Sequence, residues 1–94
     1  MKLTLNSKVK RCQEVAWRIL EDNLVVITPK DTTIHRANET GVFIWQQLGS
    51  RAKRVEQIVK TLHTTYDVTE KKAQSDVLSF VKTAVKKRIL EISP

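Results

Sequence analysis

Thr32-Thr33-Ile34-His35-Arg36-Ala37-Asn38-Glu39-Thr40-Gly41-Val42-Phe43-Ile44-Trp45 is the stretch in which the chain changes its period. Thr32 to Arg36 reads as a short strand, with β-branched residues and Ile34 turned inward. From Asn38 onward the period is 3.6: Gly41, Ile44, Trp45 and Leu48 stand at i, i+3, i+4 and i+7. Asn38 is a good N-cap, and the helix dipole favours the acid Glu39 in the first turn. Gly41 falls on the apolar face, where a missing side chain lets another element approach closely. Gly49-Ser50 ends the helix in the manner of a C-terminal cap.

Upstream of this switch the signals are for strands. Val15, Trp17 and Ile19 alternate with Ala16, Arg18 and Leu20. Glu21-Asp22-Asn23 is a turn cluster, and Leu24 to Thr28 is a more buried strand. Pro29-Lys30-Asp31 breaks it, because proline pre-sets turn geometry and removes a backbone donor. The pattern predicts a three-stranded antiparallel meander. Residues 1–13 carry Lys2, Lys8, Lys10 and Arg11 with no acid before Glu14, and read as a loosely held basic arm.

Downstream the helical period returns twice. A second helix over about 54–65 carries Val55, Ile58, Val59 and Leu62, with Tyr66 continuing the stripe. Thr69 caps a third helix over about 70–87, and Val68 and Ala73 can staple around that cap. Its core stripe is Ala73, Val77, Phe80, Val81 and Ala84. Beside it runs a mixed row, Lys71, Gln74, Ser75, Leu78, Lys82 and Val85, which suits either a groove wall or a solvated face. Ile89-Leu90-Glu91-Ile92 alternates and reads as a terminal strand or an extended tail. Three strands followed by three helices predict a small α+β domain, the helices covering one sheet face. No linker or repeat divides residues 14–94.

The chain has 94 residues, which suits one domain with a modest core. Seventeen basic against ten acidic residues give +7, a balance that favours acidic partners such as nucleic acid, an anionic membrane or an acidic peptide. No apolar run approaches the ~20 residues of a membrane span, and the start has no apolar signal core, so a cytoplasmic chain with no membrane partner is expected. The single cysteine, Cys12, fits a reducing compartment. The basic stretch before it would lower its pKa, although an ordinary thiol is the simpler reading.

Catalytic chemistry has no convergent set of groups here. Cys12, His35 and His63 are widely spaced, with His63 on a polar helix face and His35 beside Arg36. No metal-ligand spacing and no glycine-rich phosphate loop occur. The chain is therefore expected to be a non-enzymatic binding module with no catalytic residues, metal or cofactor.

The run Asn38 to Trp45 resembles the PqqD-like family, named for the pyrroloquinoline quinone biosynthesis protein D. Val15-Ala16-Trp17-Arg18-Ile19-Leu20, Val55-Glu56-Gln57-Ile58-Val59 and Asp76-Val77-Leu78-Ser79-Phe80-Val81 carry the same resemblance in order and spacing, over residues 14–92. It implies a winged-helix-like peptide-recognition element. Such domains hold the leader of a ribosomally made precursor peptide and present it to a modifying enzyme: a radical SAM enzyme, a cyclase or a leader peptidase. The leader adds as a strand to the third strand, in the cleft beside the third helix. The peptide-binding residues so implied are Thr32, Thr33, Ile34, His35 and Arg36 on the strand, and Lys71, Gln74, Ser75, Leu78, Lys82 and Val85 on the helix. Leu78 and Val85 would take apolar leader side chains, while Arg36, Lys71 and Lys82 would attract acids. Asp76 matches a family acid and reads as structural. The family usually has a leucine at Ala37, a larger apolar residue near Ala84 and a glycine at Arg88, which implies a slightly different cleft and helix end.

The main alternative is nucleic-acid binding by the same winged-helix shape. The third helix offers no arginine before Arg88 for bidentate base contacts, so duplex binding would be weak and salt-sensitive. A structural subunit is a third reading, with an exposed Trp17 as anchor while Trp45 is core. The arm and the open sheet edge also admit a homodimer.

Overall fold

The computed structural model describes residues 3–21, 23–28, 34–37, 39–49 and 51–93. Among them the elements run β1 (Lys8–Arg11), β2 (Ala16–Leu20), β3 (Asn23–Ile27), β4 (Ile34–Ala37), α1 (Glu39–Gln47), β5 (Lys53–Arg54), α2 (Val55–Thr65), α3 (Glu70–Lys86) and β6 (Leu90–Ser93). The α+β class and the strands-then-helices order match the sequence reading, although "winged helix" describes the arrangement only loosely.

The predicted meander is present as an antiparallel sheet in the order β2-β3-β4. Leu24 and Val26 of its middle strand are buried, while Ile27 is 41% exposed, so the sheet buries one face as a period of two requires. In the register Ile34 lies opposite Ile27 and His35 opposite Val26. Leu20 pairs with Asn23 across a two-residue turn, and Glu21 has φ 57°, as a primed hairpin turn requires. Asp22, Pro29, Lys30 and Asp31 lie outside the described residues.

A second antiparallel sheet, in the order β5-β1-β6, was not expected. It corrects the reading of residues 1–13 as a loose arm. Val9 is fully buried, and β1 is the middle strand, paired with β5 through Lys8↔Arg54 and with β6 through Val9↔Ile92 and Arg11↔Leu90. The segment before it is also bonded. Ser7 O accepts from Val55 N at 2.9 Å and Leu5 O from Glu56 N at 3.0 Å, which satisfies the first orphan donors of α2. The alternation at 89–92 is thus a strand in this sheet, not a tail.

The helices cover the meander with the expected faces. Gly41, Ile44 and Trp45 of α1, Val55, Ile58, Val59 and Leu62 of α2, and Ala73, Val77, Val81 and Ala84 of α3 are buried in one cluster with Val9, Leu24, Val26 and Leu90. Phe80, expected in the core stripe, is only half-buried at its margin. Tyr66 lies outside α2, exposed, with its ring edge-to-face on Phe43 at 5.2 Å. Thr69 caps α3 as expected, its hydroxyl accepting from Lys72 N at 3.1 Å. The caps Asn38 and Ser50 lie outside the described residues, and Gly49 does not adopt the left-handed conformation of a capping glycine.

The left-handed cap occurs instead at Arg88, with φ 62°. Arg88 N donates to Val85 O at 3.1 Å and Ile89 N to Ala84 O at 2.8 Å. This pair of bonds is a Schellman motif, in which Arg88 occupies the position that usually takes glycine. Helix α3 therefore ends at Lys86, one residue before the expected boundary, with Lys87 as its cap.

Candidate functional site

The free edge of the meander and the mixed row of α3 are the two walls to examine. β4 is an outer strand with β3 as its one neighbour, so its other edge has no strand partner among the described residues. That places the backbones of Ile34, His35 and Arg36 at an open edge. Thr32 and Thr33, the other strand residues predicted for the site, lie outside the described residues.

On α3 the predicted row is graded between core and solvent. Leu78, Val85 and Gln74 are half-buried, and Leu78 and Val85 pack on the margin of the core cluster. Lys71, Ser75 and Lys82 are exposed. Spacings of three, four and seven put all six on one face, adjacent to the core stripe. Lys71 and Lys82 have no acidic partner among the described residues, whereas Lys72 on the neighbouring row binds Asp76 at 3.4 Å. That pair spans one turn of the same helix.

Two hollows fix the direction in which the walls run. One, of about 200 Å³, is lined by Glu39 and Thr40 just past β4, and by Lys72 and Asp76 in the first turns of α3. The other, of about 910 Å³, is lined by Thr28 just past β3, by Val15 just before β2, and by Val85 and Arg88 at the end of α3. Ile27 pairs with Ile34, so the Ile34 end of β4 lies at the same end of the sheet as Thr28. β4 therefore runs from the C-terminal end of α3 toward its N-terminal end.

Several candidate reactive groups are placed plainly. Cys12 is half-buried in the larger groove. Its pKa is raised, first by burial and then by the charges of Glu91 and Glu14; Lys10 opposes this only in part. The basic stretch before it therefore does not lower its pKa, the less favoured of the two sequence readings. His63 is exposed, and its Nδ1–H donates to Val68 O at 2.7 Å, which ties α2 to the turn before α3. Among the described residues no three His, Cys, Asp or Glu side chains gather to hold a metal. Among them also, no helix is long and apolar enough to cross a membrane.

One constellation escaped the sequence reading. The Arg11 guanidinium packs against two indoles, 4.6 Å from the ring of Trp17 and 4.7 Å from that of Trp45. It also donates to Trp45 O at 2.7 Å. The two rings meet edge-to-face at 5.7 Å. Trp45 is fully buried and Trp17 is 44% exposed, in line with the separate expectations for them. Burial lowers the pKa of Arg11, but arginine stays charged at any working pH. Three residues so far apart in the chain carry no shared sequence signal.

Comparison with known proteins adds a family and two solved structures. The family model for coenzyme PQQ synthesis protein D (PqqD) matches residues 23–90. The chain is similar to TbiB1, solved in complex with the TbiA(beta) leader peptide. There the TM-score is 0.78 and the identity 26%, over 87% of this chain and 94% of that one. It is also similar to the PqqD truncation of Methylobacterium extorquens PqqCD, solved by solution NMR and described as a functional, stand-alone recognition element for ribosomally synthesised and post-translationally modified peptides. That match has TM-score 0.78 and 21% identity, over 96% of this chain and 95% of that one. No curated protein matches the chain.

Proposed function

The chain belongs to the PqqD family, and from that premise we propose that it is a non-catalytic module that captures the leader segment of a ribosomally made precursor peptide. The observation that carries the reading is the open edge of β4 at the same ends as a graded, half-buried row on α3. An unpaired edge supplies main-chain donors and acceptors, and alternate pockets supply selectivity; this is how extended peptides add to sheets. TbiB1, 26% identical over 87% of this chain, is a leader-binding protein, which supports the same use here.

In this reading Thr32, Thr33, Ile34, His35 and Arg36 pair with the leader backbone. Leu78 and Val85 take apolar leader side chains, with Gln74 and Ser75 between them. Lys71 and Lys82 draw acidic leader residues and mainly speed the encounter. The row from Lys71 to Val85 spans about 21 Å at ~1.5 Å per helical residue. That accommodates about six residues of extended peptide. The captured peptide is presented to a modifying enzyme such as a radical SAM enzyme, a cyclase or a leader peptidase, and the module works in the cytoplasm.

The test is a fluorescence titration with synthetic leader peptides from small reading frames near this chain's gene, run next to a random DNA duplex at low and moderate salt. Saturable peptide binding that persists at moderate salt is expected. Ile34→Pro and Leu78→Glu should each weaken it at least about tenfold, by removing an edge donor and by charging the apolar wall. Circular dichroism checks that both variants remain folded. Binding to duplex alone, vanishing as salt rises, would instead leave a basic domain whose cleft is incidental.

A further inference from the structure

We propose that the groove beyond Val85 is a second subsite, which holds the flank of the leader on the C-terminal side of its added strand. The proposal rests on the cleft between β4 and α3 being the leader site. Both sheets of the protein are antiparallel throughout. An antiparallel partner also makes the slightly better hydrogen bonds. A leader strand added antiparallel to β4 runs from the Ala37 end to the Ile34 end. Since β4 is itself antiparallel to α3, the leader runs alongside α3 from Lys71 toward Val85 and leaves the cleft at Val85.

At that exit the structure offers a continuous surface. Val85 belongs both to the cleft row and to the groove of about 910 Å³, which is at the upper end of the ~300–1,000 Å³ that drug-sized ligands fill. The groove continues past Val85 along Leu90 and Ile92 of β6, with Val15 and Thr28 at the end of the meander. Leu90 and Thr28 are buried, while Val15, Val85 and Ile92 are half-buried and able to receive a side chain. Its charge is balanced: Lys10 is already bound to Glu91 at 3.3 Å, and Glu14 and Arg88 are of opposite sign. The chemistry therefore selects an extended peptide flank with one or two apolar side chains, not an acidic tract.

The single cysteine provides the test, because Cys12 lines this groove and not the cleft row. Two synthetic peptides are prepared from a leader peptide that binds in the titration above, one ending at the strand-forming segment and one continuing about six residues further. Anisotropy titrations with the whole chain should give about tenfold tighter binding for the longer peptide. Alkylating Cys12 with a bulky maleimide should reduce the longer peptide to the affinity of the shorter and leave the shorter unchanged. Ile92→Lys, checked for folding by circular dichroism, should do the same. A nitroxide on Cys12 should broaden the NMR resonances of the C-terminal flank and spare those of the N-terminal flank. Equal affinities for the two peptides, or broadening at the N-terminal flank, overturn the subsite while leaving leader capture intact. Failure of both peptides to bind overturns leader capture and the subsite with it.

Discussion

Arg11 shows how much a single side chain can hold at this size. Its guanidinium packs against both Trp17 and Trp45, at the corner the two rings make, and anchors the N-terminal strand to the carbonyl of a helix residue 34 positions away. Two cation–π contacts at ~0.5–1 kcal/mol each and one charged hydrogen bond set the scale. Arg11→Ala should lower stability by about 2 kcal/mol in urea unfolding followed by tryptophan fluorescence. Arg11→Lys should recover less than half of that, since an ammonium lacks the planar fork that meets both rings and the Trp45 carbonyl together. A loss below ~0.5 kcal/mol would remove the clamp from the account. Cys12 makes the opposite point. With its pKa raised by burial and by Glu91 and Glu14, it holds less thiolate at neutral pH than a free cysteine. Iodoacetamide should therefore alkylate it more slowly than glutathione at pH 7, with the rate climbing into the alkaline range. Faster reaction than glutathione at pH 7 would contradict the assignment. The sequence neighbours Lys8, Lys10 and Arg11 suggested the reverse, because adjacency in the chain says nothing of which charges fold against a thiol.

At the level of single elements, the sequence was readable wherever the signal is local. The stripes of α2 and α3 and the Thr69 cap lie within one or two residues of expectation, because periodicity and capping involve residues three or four apart. Helix ends were less legible. Gly49 suggested a left-handed cap and is not left-handed, while Arg88, an unfavourable residue for it, is. The bonds from Arg88 and Ile89 back to Val85 and Ala84 force that conformation. Arg88→Gly should stabilise the chain by about 1 kcal/mol, read as a rise in thermal midpoint of several degrees. An unchanged or lower midpoint would mean that the arginine stem packs well enough to offset its strain. Thr32 to Arg36 is short, and register rather than composition decides which row of a strand faces the core.

At the scale of the whole molecule, the second sheet is the feature on which the rest depends. β1 sits between β5 and β6, and the carbonyls just before it accept from the first amides of α2. Removing residues 1–11 strips that sheet of its middle strand, uncovers Leu90 and Val55, and leaves two helix amides without acceptors. The truncated chain should show no cooperative thermal transition by calorimetry. A midpoint within a few degrees of the full chain would mean that residues 1–11 are dispensable. The same strand helps build the groove beyond Val85, so that subsite should vanish with it. By itself the sequence determined the α+β class, the meander, three amphipathic helices, the mixed row on α3 and the expectation of a peptide-binding module. The structural readings are each written in a pattern a few residues long, whereas the peptide-binding expectation came from the resemblance in order and spacing over residues 14–92. Only the tertiary structure decided the second sheet, the Arg11 clamp and the direction of the cleft. β1 and β5 are too short to show a period, the alternation at 89–92 names no partner, and the three strands find their hydrogen-bond partners only when residues 8–11, 53–54 and 90–93 are brought together.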